Sequence, residues 1–347
     1  MKLFHSLLYP LLGGLFCLSC SDDEQDTGTK QPTTAGEVTF GVDLTGFSTR
    51  VTQDGSSWND GDKIGTYVLD MKTLEPVTEA ANVPYVCSEE GASVSFTSTT
   101  PLKVQNDGTP VKFVAYYPYN ADVRNFNYPV QLAAQERGST ACDLLYAATK
   151  EEYTYSPENE PHISLNFTHR LAKVILKFVN MEKEPLEVSD VRIEGMQTAA
   201  SFNIQTDVLT VDESSVATIN PYHNATTGFY EAIILPSALT DSYKVSFVLD
   251  DREKEWIFTN LDIALPQFHK GYSYTFALYI DDSGFVEMGR LENVDGGNSS
   301  APWEDGSSED GTAEGDKTPV SGYAFTPADG TQQALADTEP VSYTHLR

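Results

Sequence analysis

The segment YSYTFALYI, residues 272–280, alternates bulky apolar side chains with smaller or more polar ones. The bulkier set occupies every second position: Tyr272, Tyr274, Phe276, Leu278 and Ile280. Successive side chains of a β-strand point to opposite faces, so a period of two predicts a strand with one buried face. The segment therefore predicts a strand that packs on a hydrophobic core.

The same signal recurs along the chain. Near the start, Val38, Phe40, Val42 and Leu44 alternate with small or polar residues. Further runs rich in β-branched and aromatic residues cover 64–69, 111–117, 162–167, 174–179, 230–235, 243–249 and 255–259. Turn-forming pairs such as Asp60-Gly61 separate these runs, and no sustained helical stripe occurs. Many short strands between turns predict an all-β protein built from antiparallel β-sandwiches.

A short apolar leader precedes Cys20. Its apolar run, residues 7–18, is shorter than the ~20 apolar residues that span a bilayer and is typical of an export signal. We interpret residues 1–20 as a lipoprotein signal peptide, with acyl chains on Cys20; an ordinary secretory signal cut nearby is the alternative. The residues that follow resemble the acidic tag that sends lipoproteins of Bacteroidota to the outer face of the outer membrane: Ser21, Asp22, Asp23 and Glu24.

Composition favours an exported protein that avoids anionic partners. The 347 residues hold 22 lysines and arginines against 51 aspartates and glutamates, which gives a formal net charge of −29. Such a charge repels nucleic acid and argues against nucleic-acid binding. The length favours two domains.

An oxidising exterior would permit Cys87 and Cys142 to form a disulfide, but their pairing depends on a distance that sequence does not contain.

Residue patterns that carry catalysis or hold a metal are missing from the sequence. The histidines beyond the leader lack metal-ligand spacing such as HExxH: His162, His169, His223, His269 and His345. Asp60 and Asp62 could ligate calcium, but they fit a turn before a strand better than an EF-hand loop. We therefore predict no catalytic residues, no metal and no cofactor.

Four aromatic residues leave two interpretations open: Trp58, Tyr116, Tyr117 and Trp256. Exposed flat rings could stack on sugars, which would make the chain a surface glycan-binding lipoprotein of a polysaccharide-uptake system. Alternatively, the rings bury large areas inside the sandwiches, and this core interpretation is favoured. The direction in which Trp58 and Trp256 point separates the two interpretations.

Several segments follow one another in an order shared with a known family. The first half of the chain contains STR (48–50), SSWNDGDKIGTYV (56–68), VKFVAYYPY (111–119), CDLLYAAT (142–149) and LNFTHRLAKVILKF (165–178). The second half contains LPQFHKGYSYTFALYI (265–280) and APWEDG (301–306). In this order they resemble the fimbrillin family, the fimbrial lipoproteins of Bacteroidales. The resemblance covers most of residues 37–306.

This resemblance implies two tandem transthyretin-like antiparallel β-sandwiches in a lipoprotein that polymerises into, or caps, a surface fimbria. In such fimbriae an arginine-specific protease removes an N-terminal strand, and a strand from the next subunit fills the vacated groove. Backbone hydrogen bonds then supply affinity, and alternate side chains supply register. Here the corresponding strand is Val38–Leu44, and Arg50 is the candidate processing site. Alternatively, Arg50 is a turn residue of an anchor or tip protein that is never cut.

The partners implied by the resemblance are other fimbrial subunits, joined by strand addition, and the outer membrane, reached through the lipid anchor. An adhesin would also bind host or bacterial surface ligands. The expected location is the cell outer membrane, as a surface-exposed lipoprotein of a fimbria.

Composition breaks divide the chain into a signal peptide, a tether, two sandwiches and a tail. We place these at 1–20 (signal peptide), 21–36 (flexible tether), 37–181 (N-terminal β-sandwich), 182–306 (C-terminal β-sandwich) and 307–347 (acidic and polar tail). The boundary between the sandwiches follows the strand that ends at Val179. In the tail, VSYTHL (341–346) resembles the translation of a transposon adapter used in sequencing libraries, so we expect this tail to be truncated.

Overall fold

The computed structural model describes residues 35–43, 58–77, 81–91, 93–135, 138–158, 160–180, 186–249, 251–261, 265–280 and 286–296. These residues form β-strands together with a short 3-10 helix, Ser139–Cys142. The predicted all-β class is confirmed. The transthyretin-like topology stays a prediction.

The first half of the chain supplies the strands of the first sheets. They are β1 (Ala35–Glu37), β2 (Thr39–Asp43), β3 (Lys63–Asp70), β4 (Val83–Cys87), β5 (Ser93–Thr97), β6 (Lys103–Gln105), β7 (Val111–Tyr117), β8 (Asn127–Gln131), β9 (Leu145–Ala148), β10 (His162–Ser164) and β11 (Thr168–His169).

The second half supplies longer strands as well as several short ones. They are β12 (Ala172–Asn180), β13 (Val188–Glu194), β14 (Ala199–Asn203), β15 (Val208–Val211), β16 (Tyr222–Asn224), β17 (Phe229–Ile234), β18 (Ser237–Ala238), β19 (Lys244–Leu249), β20 (Arg252–Ile257), β21 (Gln267–Phe268), β22 (Tyr272–Ile280) and β23 (Val286–Gly296).

Most strand pairs are antiparallel. An eight-stranded sheet has the order β10-β2-β5-β4-β3-β7-β9-β11, and a five-stranded sheet has the order β16-β17-β12-β22-β23. Two three-stranded sheets have the orders β13-β19-β20 and β15-β14-β8, and the pairs β1-β6 and β18-β21 complete the set. Parallel pairing occurs where β10 meets β2 and where β12 meets β22.

Two buried clusters form the cores of the two halves. In the first half, strands from across the eight-stranded sheet contribute to one cluster that includes Phe40, Trp58, Phe96 and Phe113. In the second half, the five-stranded sheet and the sheet β13-β19-β20 meet in a cluster that contains Phe276 and Phe247. Two sheets that share one apolar core form a sandwich.

A third cluster joins the halves. It combines Tyr116 and Tyr146 of the eight-stranded sheet with Phe202 of β14 and Ile233 of β17. Strand β3 is therefore buried along nearly its whole length, from Ile64 to Leu69. A sheet covered on both faces has continuous apolar strands instead of alternating ones.

Strand pairing connects the two halves of the sequence, and the domain boundary predicted at residue 181 stays a prediction. Strand β12 pairs with β17 and β22, so it lies in the five-stranded sheet of the second half. Strand β8 lies in the first half of the sequence, yet it pairs with β14 of the second. Composition could not show this, because strand pairing is decided by contacts between distant segments.

Candidate functional site

The N-terminal strand, residues 35–43, pairs with neighbouring strands in both of its parts. Its first part, β1, pairs with β6, and its second part, β2, lies between β5 and β10. At the join, the Val38 N–H donates to the Leu102 carbonyl at 2.9 Å, and the Thr39 N–H donates to the Pro161 carbonyl at 2.9 Å. The strand therefore fills a groove whose walls are other strands and the segment that precedes β10.

The inner face of the N-terminal strand anchors it in the first core. Val38, Phe40 and Val42 are all buried there. The Phe40 ring packs edge-on against the Tyr85 ring, with centroids 4.8 Å apart, and against the Phe113 ring at 5.8 Å. Edge-to-face aromatic pairs add to the stabilisation from buried area. This arrangement gives the groove an apolar floor with a defined register.

Tyr85 connects the N-terminal strand to the wall of the groove. Its hydroxyl donates to the Val38 carbonyl at 2.9 Å and accepts the Leu102 N–H at 2.8 Å. Tyr85 is 0% exposed. Burial raises the pKa of its hydroxyl to about 12, because the phenolate would lose its hydration.

We expect Tyr85→Phe to lower the free energy of unfolding by about 1–3 kcal/mol, because it leaves two buried backbone groups without a partner. The pKa of Tyr85 is higher in the folded chain than in the unfolded chain, where it is ~10. The contribution of the Tyr85 hydroxyl to the free energy of unfolding is therefore fully present below pH ~10 and is lost as the pH rises toward about 12. Urea unfolding of both proteins at several pH values measures this. If the difference in free energy of unfolding between the native chain and Tyr85→Phe stayed the same from pH 9 to pH 12, the raised pKa of Tyr85 would be contradicted.

Strand β10 covers one side of the N-terminal strand and is an edge strand of its sheet. Beyond it lies a groove of about 850 Å³, bordered by His162, Ile163 and Ser164 of β10 and by Ala148 of β9. Side chains of both charges also line it, including Lys150, Glu151, Arg170 and Lys270. On this side the partner of β2 is therefore a strand of only three residues.

Several predicted functional residues fall outside the described part of the chain. These are the lipidation residue Cys20, the acidic tag Ser21, Asp22, Asp23 and Glu24, and the candidate processing site Arg50. The predictions for these residues stay predictions. The N-terminal strand that processing would release is described, and it matches the predicted range 38–44 within a few residues.

The four aromatic residues considered for sugar stacking do not form an exposed platform. Trp58 and Tyr116 are fully buried, and Trp256 is 4% exposed. Trp58 lies in the core of the first half and Trp256 in the core of the second. The half-buried Tyr117 packs edge-on against Trp58 and donates its hydroxyl to the Asp62 carboxylate at 3.3 Å. Their burial favours the core interpretation, because a sugar ring needs an accessible aromatic face.

Asp62 serves a turn, as its position before β3 predicts. Its Oδ2 accepts the Asn59 N–H at 2.7 Å. Burial raises the pKa of this carboxyl. Within the described residues, no group of three or more histidine, cysteine, aspartate or glutamate side chains is arranged to hold a metal ion.

Cys87 and Cys142 are free thiols, so they do not form the disulfide that an oxidising exterior would permit. Burial raises the pKa of both thiols.

The described part of the chain contains no helix with the length and apolar character needed to cross a membrane.

Tyr85 and the residues that cover the outer side of the N-terminal strand were not singled out from the sequence. The two partners in the Tyr85–Val38 hydrogen bond are 47 residues apart in the chain. A strand pattern reports which face of a segment is buried, but it contains no signal for the residue that faces it across the sheet.

Solved structures share this fold. A candidate cell adhesion protein from Bacteroides uniformis aligns over 79% of this chain and 100% of its own, with 22% identity and a TM-score of 0.62. A candidate cell adhesion protein from Bacteroides ovatus aligns over 81% of this chain and 100% of its own, with 15% identity and a TM-score of 0.56. At these identities the similarity establishes the fold alone. No curated protein matches the chain.

A family model described as fimbrillin-like matches residues 49–303. The match begins after the N-terminal strand and includes the remaining strands of both cores. It covers most of the chain and agrees with the all-β architecture. The chain belongs to the fimbrillin-like family.

Proposed function

We propose that this protein is a surface lipoprotein subunit of a fimbria, with a structural or accessory role as stalk, anchor or tip, and that it takes part in adhesion. It joins other fimbrial subunits by strand exchange. In this exchange residues 35–43 leave their groove, and a strand from another subunit takes their place. The observation that carries this proposal is the position of the N-terminal strand, which fills a groove between β5, β6 and β10.

The energetics of the groove support exchange over simple loss of the strand. Each fully buried valine or phenylalanine side chain contributes about 1.5–3 kcal/mol relative to exposure. Three such side chains anchor the N-terminal strand: Val38, Phe40 and Val42. An empty groove would lose this stabilisation and would expose the edges of β5 and β10. An incoming strand with equivalent side chains restores both the burial and the backbone hydrogen bonds.

The membrane connection in this proposal is the lipid on Cys20, with Ser21, Asp22, Asp23 and Glu24 as the signal for the outer face of the outer membrane. The acyl chains insert into lipid, while residues 21–34 connect them to the N-terminal strand. Cleavage after Arg50 would separate the lipid and the N-terminal strand from the remainder of the chain. Uncut protein would stay attached, as an anchor does.

Treatment with an arginine-specific protease tests strand exchange. We expect cleavage after Arg50, with Val51 as the new N-terminus, followed by polymers that survive gel electrophoresis without boiling and dissociate on heating. The matched control is Arg50→Lys, which keeps the positive charge but removes the cleavage site, and we expect it to stay monomeric. A chain that is cut at Arg50, loses residues 35–43 and remains monomeric would contradict strand exchange.

A further inference from the structure

Two glycines of the N-terminal strand lie in close contact with the side chains that cover it. A Cβ atom at Gly41 would lie 2.6 Å from Nε2 of His162. A Cβ atom at Gly36 would overlap the Tyr155 ring and lie 2.8 Å from Cγ of Pro161. Real Cβ atoms essentially never approach other heavy atoms closer than 3.0 Å. Any other residue at these positions therefore requires its neighbours to move.

The backbone does not account for these glycines. Neither has the positive φ that by itself favours glycine. Both lie in extended strand, where glycine is normally less favourable than alanine. Glycine is therefore required at each position for a steric reason, namely the close approach of the covering side chains.

Hydrogen bonds connect two of the covering residues, His162 and Pro161, to Thr39. Nδ1 of His162 and Oγ1 of Thr39 are hydrogen-bonded at 3.0 Å, and His162 is directly opposite Thr39 in the parallel pair β2-β10. The Pro161 carbonyl accepts the Thr39 N–H. His162 is exposed, so its ring can make room for a side chain at position 41 by turning away, and it then gives up the bond to Thr39. A shift of Pro161, which is buried, would strain the second bond.

We infer that His162, Tyr155 and Pro161 form a steric filter that selects which strand the groove accepts. The accepted partner is an extended segment of another subunit with glycine at the positions of Gly36 and Gly41. It carries apolar residues at the positions of Val38, Phe40 and Val42. This inference rests on the proposed strand exchange, and it assigns specificity to residues outside the apolar floor of the groove.

The steric filter can be tested in the intact chain, without any strand exchange between subunits. Gly41→Ala in an ordinary strand would slow local opening, since alanine costs less conformational entropy than glycine. Here we expect Gly41→Ala to speed local opening instead, so that amide hydrogen exchange of residues 35–43 becomes several-fold faster. The double variant Gly41→Ala/His162→Ala should recover exchange rates at or below those of the His162→Ala single variant. Slower amide hydrogen exchange in Gly41→Ala than in the native chain would overturn the filter. So would a double variant whose amide hydrogen exchange stays as fast as that of Gly41→Ala.

Peptide capture then tests selection by the opened groove. Chain cleaved at Arg50 and freed of its N-terminal strand is mixed with labelled peptide AGEVTFGVD, residues 35–43, or with the same peptide carrying valine in place of Gly41. We expect at least tenfold weaker capture of the valine peptide, and a smaller difference when the protein carries His162→Ala. Equal capture of both peptides would overturn the filter. Capture of neither would contradict strand exchange itself, and the hydrogen-exchange result would still decide the filter.

Discussion

Replacing Phe40 with alanine is expected to lower the free energy of unfolding by about 3–5 kcal/mol. The Phe40 side chain is fully buried and contacts the rings of Tyr85 and Phe113. Truncation therefore removes apolar burial and two aromatic contacts and leaves a cavity under β2. Chemical denaturation followed by tryptophan fluorescence measures the change, because the buried Trp58 lies in the same core.

A residue of the same strand provides the matched control. Glu37 points outward, where its carboxylate pairs with Lys103; their side chains are 61% and 54% exposed. We expect Glu37→Ala to change stability by less than about 0.5 kcal/mol, as for other surface substitutions. If Phe40→Ala were as mild as this control, the N-terminal strand would not be packed as described. The strand-exchange proposal would then lose the observation that carries it.

Replacing Glu231 with alanine is expected to destabilise the folded chain by about 3–5 kcal/mol. Oε2 of Glu231 pairs with Nζ of Lys173 at 2.8 Å, and their side chains are only 9% and 14% exposed. Oε1 of Glu231 accepts Nδ2 of Asn224 at 2.9 Å. The substitution leaves a buried ammonium group and a buried amide without their acceptor. Thermal and urea unfolding measure the loss.

The double variant Lys173→Met/Glu231→Gln separates the charge from the packing. Methionine removes the buried cation at similar length, and the glutamine oxygen can still accept from Asn224. Because replacing a whole buried ion pair is often close to neutral, we expect the double variant to lie within about 1–2 kcal/mol of the native chain. If it were as unstable as Glu231→Ala, the lost stability would come from side-chain packing and not from an unpaired charge.

Strands with strong periodicity could be predicted from the sequence. The predicted runs 111–117 and 272–280 coincide with β7 and β22, and the alternation around Phe40 identified β2. Shorter strands with few bulky residues were not identified, such as β14 and β15. In β14 the one bulky apolar residue is Phe202, so no period of two stands out there.

Which strands pair could not be predicted. Strand β12 was predicted as a strand, but its neighbour β22 begins about a hundred residues later in the chain. The composition break after Asn180 coincides with the end of β12. Burial on both faces also removes alternation, so the residues between the halves were recognisable as strands without any sign of what covers them.

The sequence by itself determined the all-β class and the buried face of the N-terminal strand, because the direction of successive side chains is a local property of extended backbone. It also indicated the family, through the order of its segments. Only the tertiary structure decided that Tyr85 holds Val38, that His162 and Tyr155 face Gly41 and Gly36, and that Trp58 and Trp256 are buried in separate cores. The physical reason is that these contacts join residues far apart in the chain, whereas periodicity reports only on near neighbours.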